Sequence, residues 1–108
     1  GLRADCPQTR HLDVNYLDDL GRRIRGHVPL ANLPEEDTRA LFRGYAVLLL
    51  AKGSHVTPAD VHNAWAAWMI QTDPTHDAIV PYADLSSEVA GDDLPYVQAI
   101  RAVAEEIS

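Results

Sequence analysis

The chain has one cysteine, one methionine, one phenylalanine and one lysine in 108 residues. The lone Cys6 excludes an intramolecular disulfide and any cysteine-based metal cluster, so a reducing, cytoplasmic setting is the simplest expectation. Apolar runs stop at seven residues, as in Tyr45 to Ala51, against the roughly 20 needed to span a bilayer. No charged-then-apolar leader opens the sequence, so neither membrane insertion nor export is expected. Positive charge is scarce as well. Eight arginines and Lys52 face 16 acids for a formal charge of −7, which argues against a sequence-independent grip on nucleic acid, since that grip needs cations to displace phosphate counterions. The preference for arginine over lysine, with abundant alanine, is the coding bias of a GC-rich genome such as that of an actinobacterium or its phage.

What is present suits one helical domain. A chain this long buries roughly two-thirds of its unfolded surface. Residues 1–14 lack any sustained period and read as a flexible tail, and residues 15–108 read as one domain. Leu17, Leu20 and Ile24 recur at helical spacing, with Asn15 as N-cap and Gly26 as terminator. A second helix is expected to start around Asn32 or Pro34, end at Gly53, and bury Leu41, Phe42, Tyr45, Leu48 and Leu49. Thr57, Pro58 and Asp60 announce a third helix that runs to about Gln71. Its apolar residues nearly encircle it, which calls for cover on more than one face. The stretch from Thr72 to Tyr82 reads as an ordered connector, with a short strand at Ile79 and Val80 as one option. Leu85 to Val89 suits a single helical turn, and Asp92 or Asp93 caps a last helix whose inner side carries Val97, Ile100, Val103, Ala104 and Ile107. The expected architecture is all-α: a small bundle of four to five helices with an extended, proline-containing connector before the last helices. Acid-first pairs Asp18–Arg22, Asp19–Arg23 and Glu35–Arg39 at i,i+4 are expected to occupy much of the basic charge.

Catalytic and metal chemistry find little support. No two of the five histidines stand at i,i+4, and Asp60, His62 and His76 are the set that folding would have to gather around a metal. The serines lie in no nucleophile elbow, no glycine-rich loop suits a phosphate, and Asp92 with Asp93 reads as helix capping before acid–base chemistry. Neither metal, cofactor nor enzyme activity is expected. The helix ending at Lys52, the Gly53–Ser54 turn and the capped third helix resemble a helix-turn-helix. That third helix offers Asp60, His62, Asn63 and Gln71 but no basic side chain to DNA.

The segment His62-Asn63-Ala64-Trp65-Ala66, then Val80-Pro81-Tyr82, Leu85, Glu88, Val89, Asp93, Val97 and Ile100, resembles the ryanodine-receptor-type domain. The resemblance covers somewhat under half of the chain and departs from that family in the short Gln71–Ile79 link. It is similar too to small actinobacterial and phage proteins. The resemblance implies a non-catalytic module that recognises a small ligand or a protein; it carries over no calcium conduction. Candidate binding residues are His62, Trp65, Trp68, His76, Pro81, Tyr82 and Asp93. Trp65 with Tyr82 also makes sense as a core latch, and Asp93 as a plain N-cap. Trp68, three residues after Trp65, is the candidate exposed anchor for a partner or a homodimer. The leading expectation is a binding module acting through the third helix and the Val-Pro-Tyr connector. The alternative is a small DNA-associated regulator using the helix-turn-helix-like corner.

Overall fold

A computed structural model describes residues 14–33 and 37–107. Five α-helices follow in order: α1 (Val14–Gly26), α2 (Arg39–Lys52), α3 (Pro58–Thr72), α4 (Ser87–Gly91) and α5 (Leu94–Ile107). Short 3-10 turns occupy Leu30–Asn32, Gly53–His55 and Tyr82–Asp84. The bundle is all-α, and no strand occurs among the described residues. The tail expected over residues 1–14 lies, apart from Val14, outside the described residues.

Helix α1 packs across α2, and α5 lies against both. Their shared core holds Leu20, Ile24, Leu41, Tyr45, Val97, Ile100 and Val103, all almost completely closed to solvent. The α1–α2 crossing is tight because Gly21 has no side chain: a Cβ there would stand 3.2 Å from both the Cβ and the carbonyl oxygen of Phe42. Helix α2 ends where Gly53 takes φ +57 and its N–H reaches back to the Leu49 carbonyl, a left-handed position that favours glycine. At the start of α3 the Thr57 hydroxyl accepts from the Asp60 N–H while the Asp60 carboxylate accepts from the Thr57 N–H. This reciprocal box satisfies two amides that a helix start otherwise leaves unpaired. Helix α5 is tied to the same corner by Arg101, whose guanidinium donates to the Val56 carbonyl at 2.7 and 3.2 Å.

Several local expectations are corrected. Asn15 lies inside α1, which already begins at Val14, so it is not the N-cap. Helix α2 begins at Arg39 rather than near Asn32 or Pro34. The Asp37 carboxylate accepts from both the Arg39 N–H and its guanidinium, and such side-chain capture of the backbone competes with helix. The i,i+4 pairs give way to others. Arg22 pairs with Asp19, Arg23 with Glu106 at 2.9 Å, and Arg43 with Asp18 through two contacts of 2.6 and 3.2 Å. Glu35 lies outside the described residues. The cross-element partners win for Arg23 and Arg43 because α5 and α1 lie alongside them.

Helix α3 is covered around more than one face. Val61, His62 and Met69 are buried and Trp65 and Trp68 lean half-buried on the core. Helices α2 and α5 pack against it on one side and the connector is held on another, which leaves a stripe of Asn63, Ala67 and Ile70 facing solvent. The segment Ile79–Val80 forms no strand. The Val80 N–H turns back to the Ala78 carbonyl at 2.9 Å and the Val80 carbonyl is taken by His62, so neither group is left for a ladder.

Candidate functional site

A cavity of about 450 Å³ opens between α3, the connector after it and the start of α5. It lies within the size range of small-molecule sites. Four of the seven sequence candidates line it: His62 and Trp65 from α3, His76 from the connector, and Asp93 just ahead of α5. The Thr57–Asp60 box fixes where α3 begins, and one helical turn later places His62 and Trp65 on the same side. Their rings stack with centroids 5.6 Å apart and planes 25° from parallel.

His62 is buried, and its Nε2–H donates to the Val80 carbonyl at 2.6 Å. That bond clamps the connector onto α3 and sets the ring's orientation, leaving Nδ1 as acceptor in the neutral imidazole. His76 is held the opposite way. The Ala78 N–H donates to its Nδ1 at 3.1 Å, so the neutral ring carries its proton on Nε2. The His76 ring meets Trp65 edge-on, 5.1 Å between centroids at 80°. Trp65 therefore has histidine on two sides, packs in part against the core and contributes to the cavity wall.

Asp93 gives the site its electrostatic character. Its main-chain carbonyl accepts from the Tyr96 and Val97 N–H groups at the start of α5. Its side chain does not serve as the expected cap through Oδ2, which is shut off from solvent without a hydrogen-bond partner. Burial pushes this carboxyl from 3.8 up to about 6; the charge of His62 opposes the rise and that of Asp92 adds to it. Neighbouring phenols respond. Burial, then the charges of Tyr96 and Asp93, raise Tyr45 well above its ordinary range, and burial with Asp93 and Asp92 raises Tyr96. No lysine or arginine is among the lining residues.

The other candidates stand elsewhere. Tyr82 is half-buried with its ring 6.1 Å from His62, backing the site without lining it. Pro81 is exposed at the entrance to the Tyr82–Asp84 turn. Trp68 is half-buried against the core and does not line the cavity. Among the described residues no three histidines, cysteines or acids gather as a metal site. Asp60 is occupied by Lys52 at 3.0 Å and by the Thr57 N–H. Sequence reasoning passed over Tyr96, whose hydroxyl donates to the Asn32 carbonyl and whose ring packs 5.4 Å from Tyr45. The signal was there: Tyr96, Ile100 and Val103 stand at i, i+4, i+7.

The model of a domain of unknown function, DUF7701, matches residues 15–105. The chain belongs to the DUF7701 family. The matched span takes in α3, the connector and α5, so the whole cavity falls within the DUF7701 domain. No curated protein and no solved structure matches the chain. Among the described residues no helix of this DUF7701 domain is long and apolar enough to cross a membrane.

Proposed function

We propose that this DUF7701 domain is a non-catalytic binding module that takes a small ligand into the cavity between α3, the connector and α5. The observation that carries the reading is convergence: His62, Trp65, His76 and Asp93 come from three separate stretches of chain yet line one concavity. Aromatic walls with a few convergent polar groups, one of them a carboxylate of displaced pKa, are the usual makings of a recognition site. The Ser86 hydroxyl caps α4 and the Thr57 hydroxyl caps α3, so these hydroxyls have structural work. The resemblance of His62–Ala66 and Val80–Tyr82 to the ryanodine-receptor-type domain belongs to this proposal, as a likeness to another binding module.

A protein partner or homodimer anchored on Trp68 draws less support, because Trp68 leans on the core and presents no isolated exposed ring. The DNA-regulator reading loses ground for a similar reason. At the α2–α3 corner Lys52 is engaged by Asp60, and nearer the start of α2 Arg43 is engaged by Asp18. A fragment screen read by amide and indole NMR tests the proposal. Binding fragments should move the Trp65 indole and the His76 and Asp93 amides together. If fragments at millimolar concentration leave those three signals in place, the cavity is not a recognition site.

A further inference from the structure

The cavity's walls specify more than binding. Three features meet there: a carboxylate with an unpartnered, solvent-excluded oxygen, aromatic rings in the walls, and no lysine or arginine to neutralise it. A buried carboxylate oxygen without a donor is costly unless the charge is compensated, and among the described residues no group donates a hydrogen bond to this one. His62, whose Nε2–H is committed to Val80, attracts the carboxylate only when its ring is protonated. Asp93 lines the cavity beside Asp92, so a cation lodged there meets two carboxylates and no lysine or arginine. Trp65 and Tyr96 stand in the same walls, and an aromatic ring attracts a cation held within about 6 Å of its face.

We infer that the cavity recognises a small organic cation that carries N–H donors on an apolar body, a primary ammonium or an amidinium, with Asp93 as its counter-ion and Trp65 as its apolar wall. The inference rests on the proposed binding function of the same cavity and adds the charge and donor class of the ligand. An anion meets Asp92 and Asp93 and is repelled. A neutral ligand of the same shape gains the aromatic wall but leaves the carboxylate uncompensated. A bare metal ion finds too few ligands among the described residues.

Three compounds of similar size separate these cases: phenethylammonium, its neutral N-acetyl derivative and the anion 3-phenylpropionate. Each is titrated against the intact chain, with the Trp65 indole signal and calorimetry as readouts. The expected order is phenethylammonium about tenfold tighter than the neutral compound, with the anion weakest. In Asp93→Asn that preference should fall to about twofold or less, because the amide keeps the shape and loses the charge. Asp84→Asn, an exposed acid outside the cavity, should leave it intact. Binding of the cation should also weaken as pH falls from about 7.5 to about 5, as Asp93 takes up its proton. The groups facing Asp93 are His62 on α3, His76 on the connector, Tyr45 on α2, and Asp92 and Tyr96 beside it. An imidazolium at either histidine repels a cation too, so the Asp93 share is the part of the pH dependence that Asp93→Asn removes. Equal binding of all three compounds, or a cation preference that survives in a folded Asp93→Asn, overturns the ligand class and leaves the cavity as a binding site. Failure of all three to move the Trp65 signal overturns both.

Discussion

Replacing Asp93 by asparagine should stabilise the protein at neutral pH, an uncommon direction for a substitution in a cavity wall. The carboxyl titrates near 6 in the folded chain against an ordinary 3.8. A displacement of about two units is worth about 3 kcal/mol if taken at face value. The residue is only half-buried, and solvent screening reduces that figure to about 1–2 kcal/mol. Removing the charge also forfeits its attraction to the positive end of α5, about 0.3–1 kcal/mol. Asparagine is as good an N-terminal residue as aspartate, so capping preference does not change. The net expectation is a gain of about 1 kcal/mol at pH 7, or a rise in Tm of about 4 °C for a domain of this size.

The pH dependence fixes the sign. This is an acid whose folded pKa is raised, so between 3.8 and about 6 the folded state holds more of the proton than the unfolded chain does. Its contribution to stability therefore falls as pH rises through that window and is fully lost above it. The advantage of Asp93→Asn should be near zero at about pH 3 and below, where the acid is largely neutral in both states, and reach its full value near pH 7. Asp18, Asp37, Asp60 and Glu106 have lowered pKa values from their hydrogen-bonded cationic partners and slope the other way. They are present in both proteins and cancel in the difference. Urea unfolding followed by far-UV circular dichroism at several pH values measures that difference directly. A variant equal to or less stable than the parent at pH 7, or an advantage that does not grow between about pH 4 and 7, refutes the reasoning.

Gly21→Ala should destabilise by about 1–3 kcal/mol, because the new methyl meets the Phe42 backbone at 3.2 Å; a thermal melt reads it, and an unchanged Tm would mean the α1–α2 crossing is looser than described. Thr57→Ala removes the hydroxyl half of the α3 capping box and should cost about 1 kcal/mol in urea unfolding, with Thr57→Ser close to the parent. Trp65→Ala and Trp68→Ala should each cost about 2 kcal/mol, since both rings are half-buried against the core, but only Trp65→Ala should abolish fragment binding in the cavity. Duplex DNA should show no salt-dependent binding, by anisotropy, that Arg22→Ala, Arg25→Ala or Arg43→Ala removes.

The parts of this fold legible in sequence are those set by local rules. Thr57, Pro58 and Asp60 announced α3 because capping is decided within four residues, and the spacing of Leu20 with Ile24 announced the buried face of α1. The failures come from competition across elements. Arg23 had Asp19 four residues before it on its own helix, yet Glu106 took it once α5 packed alongside, and Asp18, offered to Arg22 by spacing, went instead to Arg43 across the α1–α2 crossing. Half of the candidate site was legible in the same way: His62 and Trp65 sit one turn apart by helical geometry. That His76 would close on Trp65 depended on a connector path fixed by the His62–Val80 bond, which no periodicity encodes. Tyr96 was hidden because an aromatic at core spacing reads as packing, and it is packing as well as wall.

Asp93 breaks a local rule at a place where obeying it would have been simple. Ser86 and Thr57 turn their oxygens back onto the first amides of α4 and α5's neighbour α3, whereas Oδ2 of Asp93, at the equivalent position ahead of α5, accepts nothing. Serine, threonine or asparagine there would start the helix without a buried charge. Departures of this kind concentrate at functional sites, where stability is given up for recognition. If that is the trade, the free energy lost to the ionised carboxylate in the empty cavity is recovered when a cation neutralises it. Phenethylammonium should then raise the Tm of the parent more than that of Asp93→Asn, and the gap should be wider at pH 7 than at about pH 5. A ligand that stabilised both proteins equally would leave the buried acid as a packing accident.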